Sequence, residues 1–374
     1  MLEEFQEVEN CGGKFKIKIL KEGDQLSFST SYESSNPFNM SVYGVYALYP
    51  QGIPVGVFNL GGINQGFQPQ SPHESCLSIF MLSDRQGFFG RLCPSCQKYF
   101  RTKTPSASKA VTCPYCGLVA DTHYFLTKGH HEFIKAHIDA YDEAIEKKRD
   151  VVIDLDDLAR LVTPNRPPQY FVEETQQTYF KCVQCQVTTD IIGLFGYCPH
   201  CGHRNSMEML ENQLIEMEHN VNNPRYSSEQ RNERTNEWRN IIKQCVSAFE
   251  GFARDLQNAI LINSCFVPSR RRTIEKISFH NPIIAARDLK QLMDIDILCG
   301  INEQEQEFIN RRFQRRHLYE HSAGVVDQEY IDKTGDTSVR LGQIVREESN
   351  NVLTLIKLTR KMAMNFDKAF HEMS

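Results

Sequence analysis

The cysteines constrain the fold of this 374-residue chain more than any other feature of its sequence. Eight of its 13 cysteines form four C-x-x-C pairs, which read CPSC, CPYC, CVQC and CPHC. Two residues between a pair of thiolates let both sulfur atoms reach one tetrahedral zinc ion, and two such pairs complete a site. A glycine follows the second and fourth pairs and relieves the tight turn there. We therefore predict two structural four-cysteine zinc sites, with Cys93, Cys96, Cys113 and Cys116 as ligands of one ion and Cys182, Cys185, Cys198 and Cys201 as ligands of the other.

Other uses of these cysteines fit the sequence less well. A secreted disulfide scaffold is disfavoured by the length of the chain and its odd cysteine count. A redox C-x-x-C site is disfavoured because the chain has four such motifs and their spacing groups them in pairs. A catalytic zinc site is disfavoured because four thiolate ligands leave no coordination position for water or substrate. The intervals within each set suit a β-hairpin, so each site is predicted to be a zinc ribbon. Nearby histidines are expected at the surface or behind the ligands: His123, His130, His131, His200 and His203.

The chain divides into three regions by its pattern of residues. Residues 1–89 alternate short β-rich runs with Gly, Pro, Asn and Ser, which predicts a small β domain. Residues 90–206 hold the two ribbons, joined by a helix with the sequence HEFIKAHIDAYDEAIEKK that we expect to brace them, and by a Pro-rich connector at residues 161–171. Residues 207–374 read as an all-helical bundle. The predicted fold class is multidomain α+β.

Five helices are predicted in the last region from the spacing of apolar residues and from the positions of proline. Their predicted ranges are residues 207–219, 228–260, 283–293, 303–321 and 339–371.

Charge and hydropathy narrow the possible partners. The net charge of −5 argues against a surface coated with positive potential, so any nucleic-acid contact must come from local basic patches. The N-terminus is acidic, and no segment approaches the roughly 18 apolar residues of a membrane span. We expect a soluble cytoplasmic protein with no membrane partner.

The stretch RRHLYEHSAG, residues 315–324, places two arginines, a glutamate and two histidines at the end of the fourth predicted helix. An apolar stripe there becomes charged in its last turn. Polar groups on an inward-facing stripe are costly unless they are paired or line a cleft, so a functional site is one reading. The other is a helix end at which Arg and His favourably meet exposed carbonyl groups. Spacing alone does not decide between them.

The sequence Arg316-His317-Leu318-Tyr319-Glu320-His321 resembles the R-[polar]-x3-H motif of HEPN domains. These are helical bundles that include many metal-independent ribonucleases of toxin–antitoxin, abortive-infection and CRISPR systems. The continuation SAGVVDQEYID, followed by a last long helix, is also similar to members of that superfamily. The resemblance covers residues 207–374 only. An overlapping match from Arg312 to His317 is weaker, because Phe313 occupies the position at which the family prefers a polar residue.

This resemblance implies that Arg316 and His321 are the catalytic pair, with His317 in support. It further implies an endoribonuclease that needs no catalytic metal, works as a homodimer through its helical bundle, and serves as a prokaryotic antiviral or toxin effector. A protein or phage-derived trigger is a possible further partner. Two alternatives stay open: a non-catalytic zinc-ribbon scaffold that dimerises through the bundle, and a zinc-ribbon DNA-binding protein, against which the acidic net charge weighs.

Two basic patches are candidate contacts for an RNA substrate. One is SRRRTIEK, in a predicted loop between the second and third bundle helices, and the other is RRFQRR. The candidate phosphate-binding residues are Arg270, Arg271, Arg272 and Arg315. A solvated basic surface is the alternative interpretation for each patch.

Overall fold

The described strands lie at or before Ile191, and most of the described helices lie after it. The computed structural model describes residues 13–22, 25–34, 42–61, 72–82, 88–102, 110–154, 157, 178–226 and 230–373. The chain forms two compact units, Met1–Arg204 and Asn205–Ser374. The first contains small antiparallel sheets and one long helix, and the second is mostly helical, so the protein is a multidomain α+β chain. The predicted Pro-rich connector at residues 161–171 lies outside the described residues.

Twelve strands are present in the described part of the first unit. They are β1 (Gly13–Glu22), β2 (Gln25–Ser34), β3 (Val42–Leu48), β4 (Ile53–Gly61), β5 (Cys76–Leu82), β6 (Phe89–Leu92), β7 (Tyr99–Thr102), β8 (Val111–Thr112), β9 (Val119–Ala120), β10 (Val151–Asp154), β11 (Thr178–Lys181) and β12 (Thr188–Ile191). They form four antiparallel sheets, with the orders β10-β1-β2, β4-β3-β5, β11-β12-β7-β6 and β8-β9.

The helix α1 (Lys128–Lys147) completes the core of the first two sheets. Its apolar side, with Phe133, Ile134 and Tyr141, is buried in the same cluster as Phe15 of β1, and the Phe15 and Tyr141 rings lie 6.0 Å apart. We expected this helix to brace the two ribbons, but it packs on the β-sheets instead. The reason is that its apolar face covers sheet side chains that would otherwise be exposed to water.

The helix α1 begins with a capping box. The Thr127 hydroxyl accepts from the His130 backbone N–H, and the His130 ring accepts from the Thr127 backbone N–H. These bonds use backbone donors that would otherwise lack partners at the start of a helix. His130 is therefore buried, and its ring stacks on Phe89 at 4.8 Å. The prediction that placed His130 at the surface or behind a zinc ligand is wrong for this residue.

The four-stranded sheet joins the two cysteine-bearing hairpins. Strands β6 and β7 carry the first C-x-x-C turn, β11 and β12 carry the third, and β7 pairs directly with β12. Arg101 and Asp190 stand opposite each other in that pairing, both buried, with Arg101 Nε 2.7 Å from Asp190 Oδ2. A buried pair of opposite charges fixes the register of the two strands, because a one-residue slip would leave both charges unpaired.

The second unit contains seven described helices. They are α2 (Ser206–Asn222), α3 (Arg231–Asn263), α4 (Pro268–Glu275), α5 (Pro282–Met293), α6 (Glu303–His321), α7 (Gln328–Thr334) and α8 (Ser349–Met373).

Two of these helices differ from the sequence expectation. The SRRRTIEK patch was predicted as a loop, but it lies in α4, which has Pro268 at its first position, where the missing N–H costs nothing. The last helix begins at Ser349 and not near residue 339, because residues 337–338 and 341–342 form turns and Ile344 pairs with Val325 in a β-bridge.

Aromatic side chains at the centre of the second unit hold α3, α6 and α8 together. Phe249 of α3 meets Phe313 of α6 edge-on at 5.9 Å, and Phe252 meets Phe366 of α8 at 6.4 Å. All four rings are buried. Among the described residues, no helix combines the length and the apolar character that crossing a membrane requires. This packing fixes α6, whose last turn carries the motif.

Candidate metal centres and candidate active site

The two predicted sets of cysteines converge in the structure. In the first cluster, Cys93 Sγ lies 3.6 Å from Cys116 Sγ, and Cys96 Sγ lies 3.7 Å from Cys113 Sγ. In the second, the matching distances are 3.5 Å for Cys182 to Cys201 and for Cys185 to Cys198. All four sulfur atoms of each cluster lie within 4.8 Å of one another.

These clusters fit zinc. Four sulfur atoms at about 2.3 Å from a central ion form a tetrahedron with edges of about 3.8 Å, close to the separations of the paired sulfur atoms. Burial raises the pKa of Cys93 to about 11, and burial likewise raises the pKa of Cys201 to about 11. Such thiols give up their protons when a dication replaces them. The two clusters could each hold one zinc ion in a closed four-thiolate site.

All four C-x-x-C turns share one backbone geometry. The carbonyl oxygen of the first cysteine accepts from the N–H four residues later, as in Gln97 N to Cys93 O at 3.0 Å and Gly117 N to Cys113 O at 3.0 Å. That fourth residue has a positive φ in every turn, and it is Gln97, Gly117, Gln186 or Gly202.

The sequence pattern explained the two glycines and missed the two glutamines. Gln97 and Gln186 turn their side-chain amides back onto the turn and donate to the carbonyl oxygens of Pro94 and Val183. We infer that this bond offsets part of the cost of a left-handed backbone at a residue with a side chain.

Direct hydrogen bonds also connect the second and fourth turns. The Thr112 N–H donates to Pro199 O at 2.9 Å, and the Tyr197 N–H donates to Pro114 O at 2.8 Å. The Tyr115 hydroxyl donates to Tyr99 O at 2.7 Å. Together with the pairing of β7 and β12, these bonds make the two clusters parts of one structure.

The predicted catalytic residues lie together in the last turns of α6. Arg316 Nη1 is 3.3 Å from Glu320 Oε2, and His321 Nε2 is 3.9 Å from the same oxygen. The His317 and His321 rings lie 4.6 Å apart. The His321 side chain is 62% exposed, whereas that of Arg316 is 21% exposed. The structure thus brings the predicted set together at a surface that solvent reaches.

A cavity of about 540 Å³ adjoins this end of α6, and Arg316 and His317 are in its wall. Lys333, His280 and Glu250 also line it, and His280 Nδ1 lies 2.6 Å from Glu250 Oε1. Arg316 Nε is buried and has no hydrogen-bond partner among the described residues. The cavity therefore gathers two cationic side chains and two imidazoles around a space that a phosphate group could enter.

Sequence reasoning did not identify Lys333, His280 and Glu250 as neighbours of the motif. Each comes from a different element: Lys333 from α7, His280 from the residues before α5, and Glu250 from α3. No local spacing in the sequence indicates these contacts.

The four arginines predicted to bind substrate have different surroundings. Arg270, Arg271 and Arg272 are exposed on α4, where Arg271 pairs with Glu275 at 3.0 Å and also donates to Leu261 O. Arg315 lies in a buried network, with Nη1 2.9 Å from Glu347 Oε1 and Nη2 3.0 Å from Asp336 Oδ2. Because both carboxylates already pair with it, Arg315 acts as a structural group.

The network around Arg315 ties the segment before α8 to α6. Glu347 accepts from Arg312, Arg315 and the Tyr319 hydroxyl. Burial acts to raise the pKa of the Asp336 carboxyl, but hydrogen bonds from the Ser338 hydroxyl, the Tyr330 hydroxyl and Arg315 hold it well below the usual range. The network fixes the residues that follow the motif.

No protein-family model matches the chain, and no curated protein and no solved structure matches it either.

Proposed function

We propose that the protein is an endoribonuclease of the HEPN type, in which Arg316, His317 and His321 act on RNA. The observation that carries the proposal is the shared carboxylate: Glu320 Oε2 lies 3.3 Å from Arg316 Nη1 and 3.9 Å from His321 Nε2. The Arg316 guanidinium, which lines the cavity, and the exposed His321 imidazole thus lie on either side of one carboxylate. An imidazole can accept or donate a proton, and a guanidinium beside it can bind the oxygens of a phosphate group.

The proposed reaction uses the nucleophile of the substrate itself. The His321 imidazole takes the proton of an RNA 2′-hydroxyl, whose oxygen attacks the adjacent phosphorus. The bond from phosphorus to the 5′-oxygen breaks, which leaves a 2′,3′-cyclic phosphate and a 5′-oxygen that takes a proton from an acid. Arg316 binds the phosphoryl oxygens as charge builds on them, and His317 supports the pair. This sequence of steps uses no metal ion.

The acid for the leaving oxygen is expected from a second copy of the motif. HEPN nucleases pair two protomers across their bundles, and the exposed His321 would then face its counterpart. In this proposal the cysteine clusters, each with one zinc ion, and the N-terminal sheets target or regulate the nuclease in the cytoplasm. A protein or phage-derived trigger and a role in prokaryotic antiviral defence, or as a toxin, are part of the same proposal.

Incubating the purified protein with total RNA in EDTA tests this proposal. The wild type should cleave, and mapped products should carry 2′,3′-cyclic phosphates and 5′-hydroxyls. His321→Ala should reduce the rate about 10²–10⁴-fold, the usual effect of losing a general base. His371→Ala, at an exposed histidine of α8, is the matched control and should cleave normally. Cleavage that persists undiminished in an Arg316→Ala, His321→Ala double variant would place the active site elsewhere.

The second candidate function is a binding scaffold without catalytic activity. The closed four-sulfur geometry of both clusters favours it, since such sites build binding modules. It predicts no cleavage by the wild type, together with a changed melting temperature or oligomeric state when Arg316 or His321 is replaced.

A further inference from the structure

A cleft of about 1070 Å³ lies in the second unit on another side of α6. Four of its 15 lining residues are arginines: Arg239, Arg312, Arg315 and Arg346. None of the lining residues is acidic or aromatic, and Asn232, Asn236, Asn351 and Gln343 add side-chain amides. We call this cavity the arginine cleft.

Positive charge dominates the arginine cleft. The carboxylates bonded to its arginines are those of Asp336 and Glu347, so two carboxylates stand against four guanidinium groups and the cleft is left with an excess of positive charge. Arg239 donates to the carbonyl oxygens of Val345 and Ala323 and pairs with no carboxylate of the described residues. Arg346 is exposed, and no hydrogen bond or ion pair within the described ranges engages it. An anion entering the cleft would find charge that the protein does not neutralise.

Two donors of the cleft also lack partners. Arg239 Nε and Arg312 Nε are buried, and neither has a hydrogen-bond partner among the described residues. Buried donors without acceptors are costly, because each has lost its water without gaining a replacement. Arg312 is held by one bond of 3.3 Å to Glu347 and by the Phe308 ring beneath its guanidinium. A ligand with several acceptor oxygens would offset this cost.

The arginine cleft begins where the proposed catalytic helix ends. Ala323, which lines it, is two residues beyond His321, and its carbonyl oxygen accepts from Arg239 at 3.4 Å. A chain that lies in the cleft would therefore pass close to the end of α6.

We propose that the arginine cleft binds the phosphate backbone of single-stranded RNA and leads it to the motif. Guanidinium groups and amides suit phosphate and ribose oxygens, and the lack of lining aromatics excludes base stacking as the source of affinity. Binding is then independent of base sequence. The volume exceeds the upper end of ordinary small-molecule pockets, about 1,000 Å³, which leaves room for several linked phosphates. The proposal rests on the proposed function for its choice of RNA.

Fluorescence anisotropy with a labelled single-stranded deoxyoligonucleotide tests the cleft separately from catalysis, since this probe has no 2′-hydroxyl to react. Arg346→Gln should weaken binding about fivefold at 0.1 M salt and lower the salt slope by about 0.7, the effect of losing one phosphate contact. Arg346→Glu should weaken it further. Arg254→Glu, at an exposed arginine of α3 outside the cleft, is the matched control and should bind nearly as the wild type does.

Each outcome bears on only one of the two proposals. Wild-type affinity in Arg346→Glu, or no binding by the wild type, overturns the cleft as a backbone site even if RNA is cleaved. Displacement of the probe by a mononucleotide at equal phosphate concentration would also overturn it, since a backbone site needs linked phosphates. Arg346-dependent binding without any cleavage of RNA leaves the cleft intact and removes the nuclease.

Discussion

Arg315 and Arg316 are consecutive on α6 and have different environments. Arg315 is buried and joins Glu347 and Asp336, whereas Arg316 pairs with Glu320 at the cavity beside the motif. One residue turns a helix by about 100°, so neighbours in sequence face different surroundings. The first arginine holds the fold of the second unit together, and the second is available for function.

Replacing Arg315 should therefore destabilise the protein. Arg315→Ala leaves Asp336 and Glu347, whose side chains are 0% exposed, without their shared cation, and should cost about 3–5 kcal/mol of unfolding free energy. Trp238 is the only tryptophan of the chain and is buried in α3, so its fluorescence in urea reports on the second unit. The control Arg316→Ala breaks a partly exposed pair and should cost at most about 1 kcal/mol. Equal losses in both variants would contradict these assignments.

The cysteine clusters predict the metal content. Protein purified without added metal should contain about two zinc ions per chain, because each closed cluster takes one. Cys182→Ser should lower the content to about one and reduce the melting temperature of the first unit. Cys265→Ser, at an exposed cysteine outside both clusters, should keep both ions. Zinc should also leave as the pH falls, since protons compete for the thiolates. A Cys182→Ser protein that retains two ions would rule out this cluster as a zinc site.

His137 predicts a pH dependence of the first unit. Its ring is buried between Phe15 and Phe133, both nitrogens lack partners among the described residues, and burial lowers its pKa to about 3. The unfolded chain takes up a proton near pH 6.5 and the folded chain does not. The stability that His137 contributes is therefore full above about pH 6.5 and falls by about 1.4 kcal/mol per pH unit below it, down to the folded pKa, and the buried His130 of the same unit acts in the same direction.

Calorimetry of the wild type and His137→Phe at about pH 7.5 and about pH 5.5, on either side of the ordinary histidine pKa, checks this expectation, with zinc content followed in parallel. The variant should lose less stability than the wild type between the two pH values. The relevant unfolding transition is that of the first unit, which Trp238 fluorescence does not follow because Trp238 lies in the second. His73→Gln, at an exposed histidine of the same unit, should behave like the wild type. The same loss in His137→Phe would mean that other groups cause the pH dependence.

The exposed end of α6 predicts assembly. A site that needs two copies of one motif is built most simply by two-fold pairing. Light scattering should give a mass near twice 43.2 kDa, about 86 kDa. A monomer at micromolar concentration that cleaves RNA at full rate would contradict the two-protomer site, and the acid would then have to come from the same chain, with His280 the first residue to replace.

The cysteine clusters could be predicted from the sequence because their information is local. Two residues between the cysteines of a pair and a hairpin between pairs nearly determine such a cluster, and the structure gathers all eight cysteines in the two predicted sets. The motif at the end of α6 was also local, and its members do lie together.

The surroundings of the motif depend on tertiary contacts and could not be predicted. Helical periodicity marks one apolar face, but α6 is packed on two sides, with Phe313 against α3 and Arg315 against the segment before α8. The sequence therefore did not reveal that Arg315, in the basic patch RRFQRR, is a structural residue. The arginine cleft combines Arg239 and Arg346, which are over 100 residues apart, and no spacing rule connects them.

The pairing of β1 with β10 has a consequence for the order of synthesis. Lys14 pairs with Asp154, so the sheet β10-β1-β2 is complete only after residue 154 has been made. By then Cys93, Cys96, Cys113 and Cys116 have already been synthesised. We expect the first cluster to capture its ion on the ribosome while β1 still has one unpaired edge, and that edge stays open to other nascent chains until β10 is made.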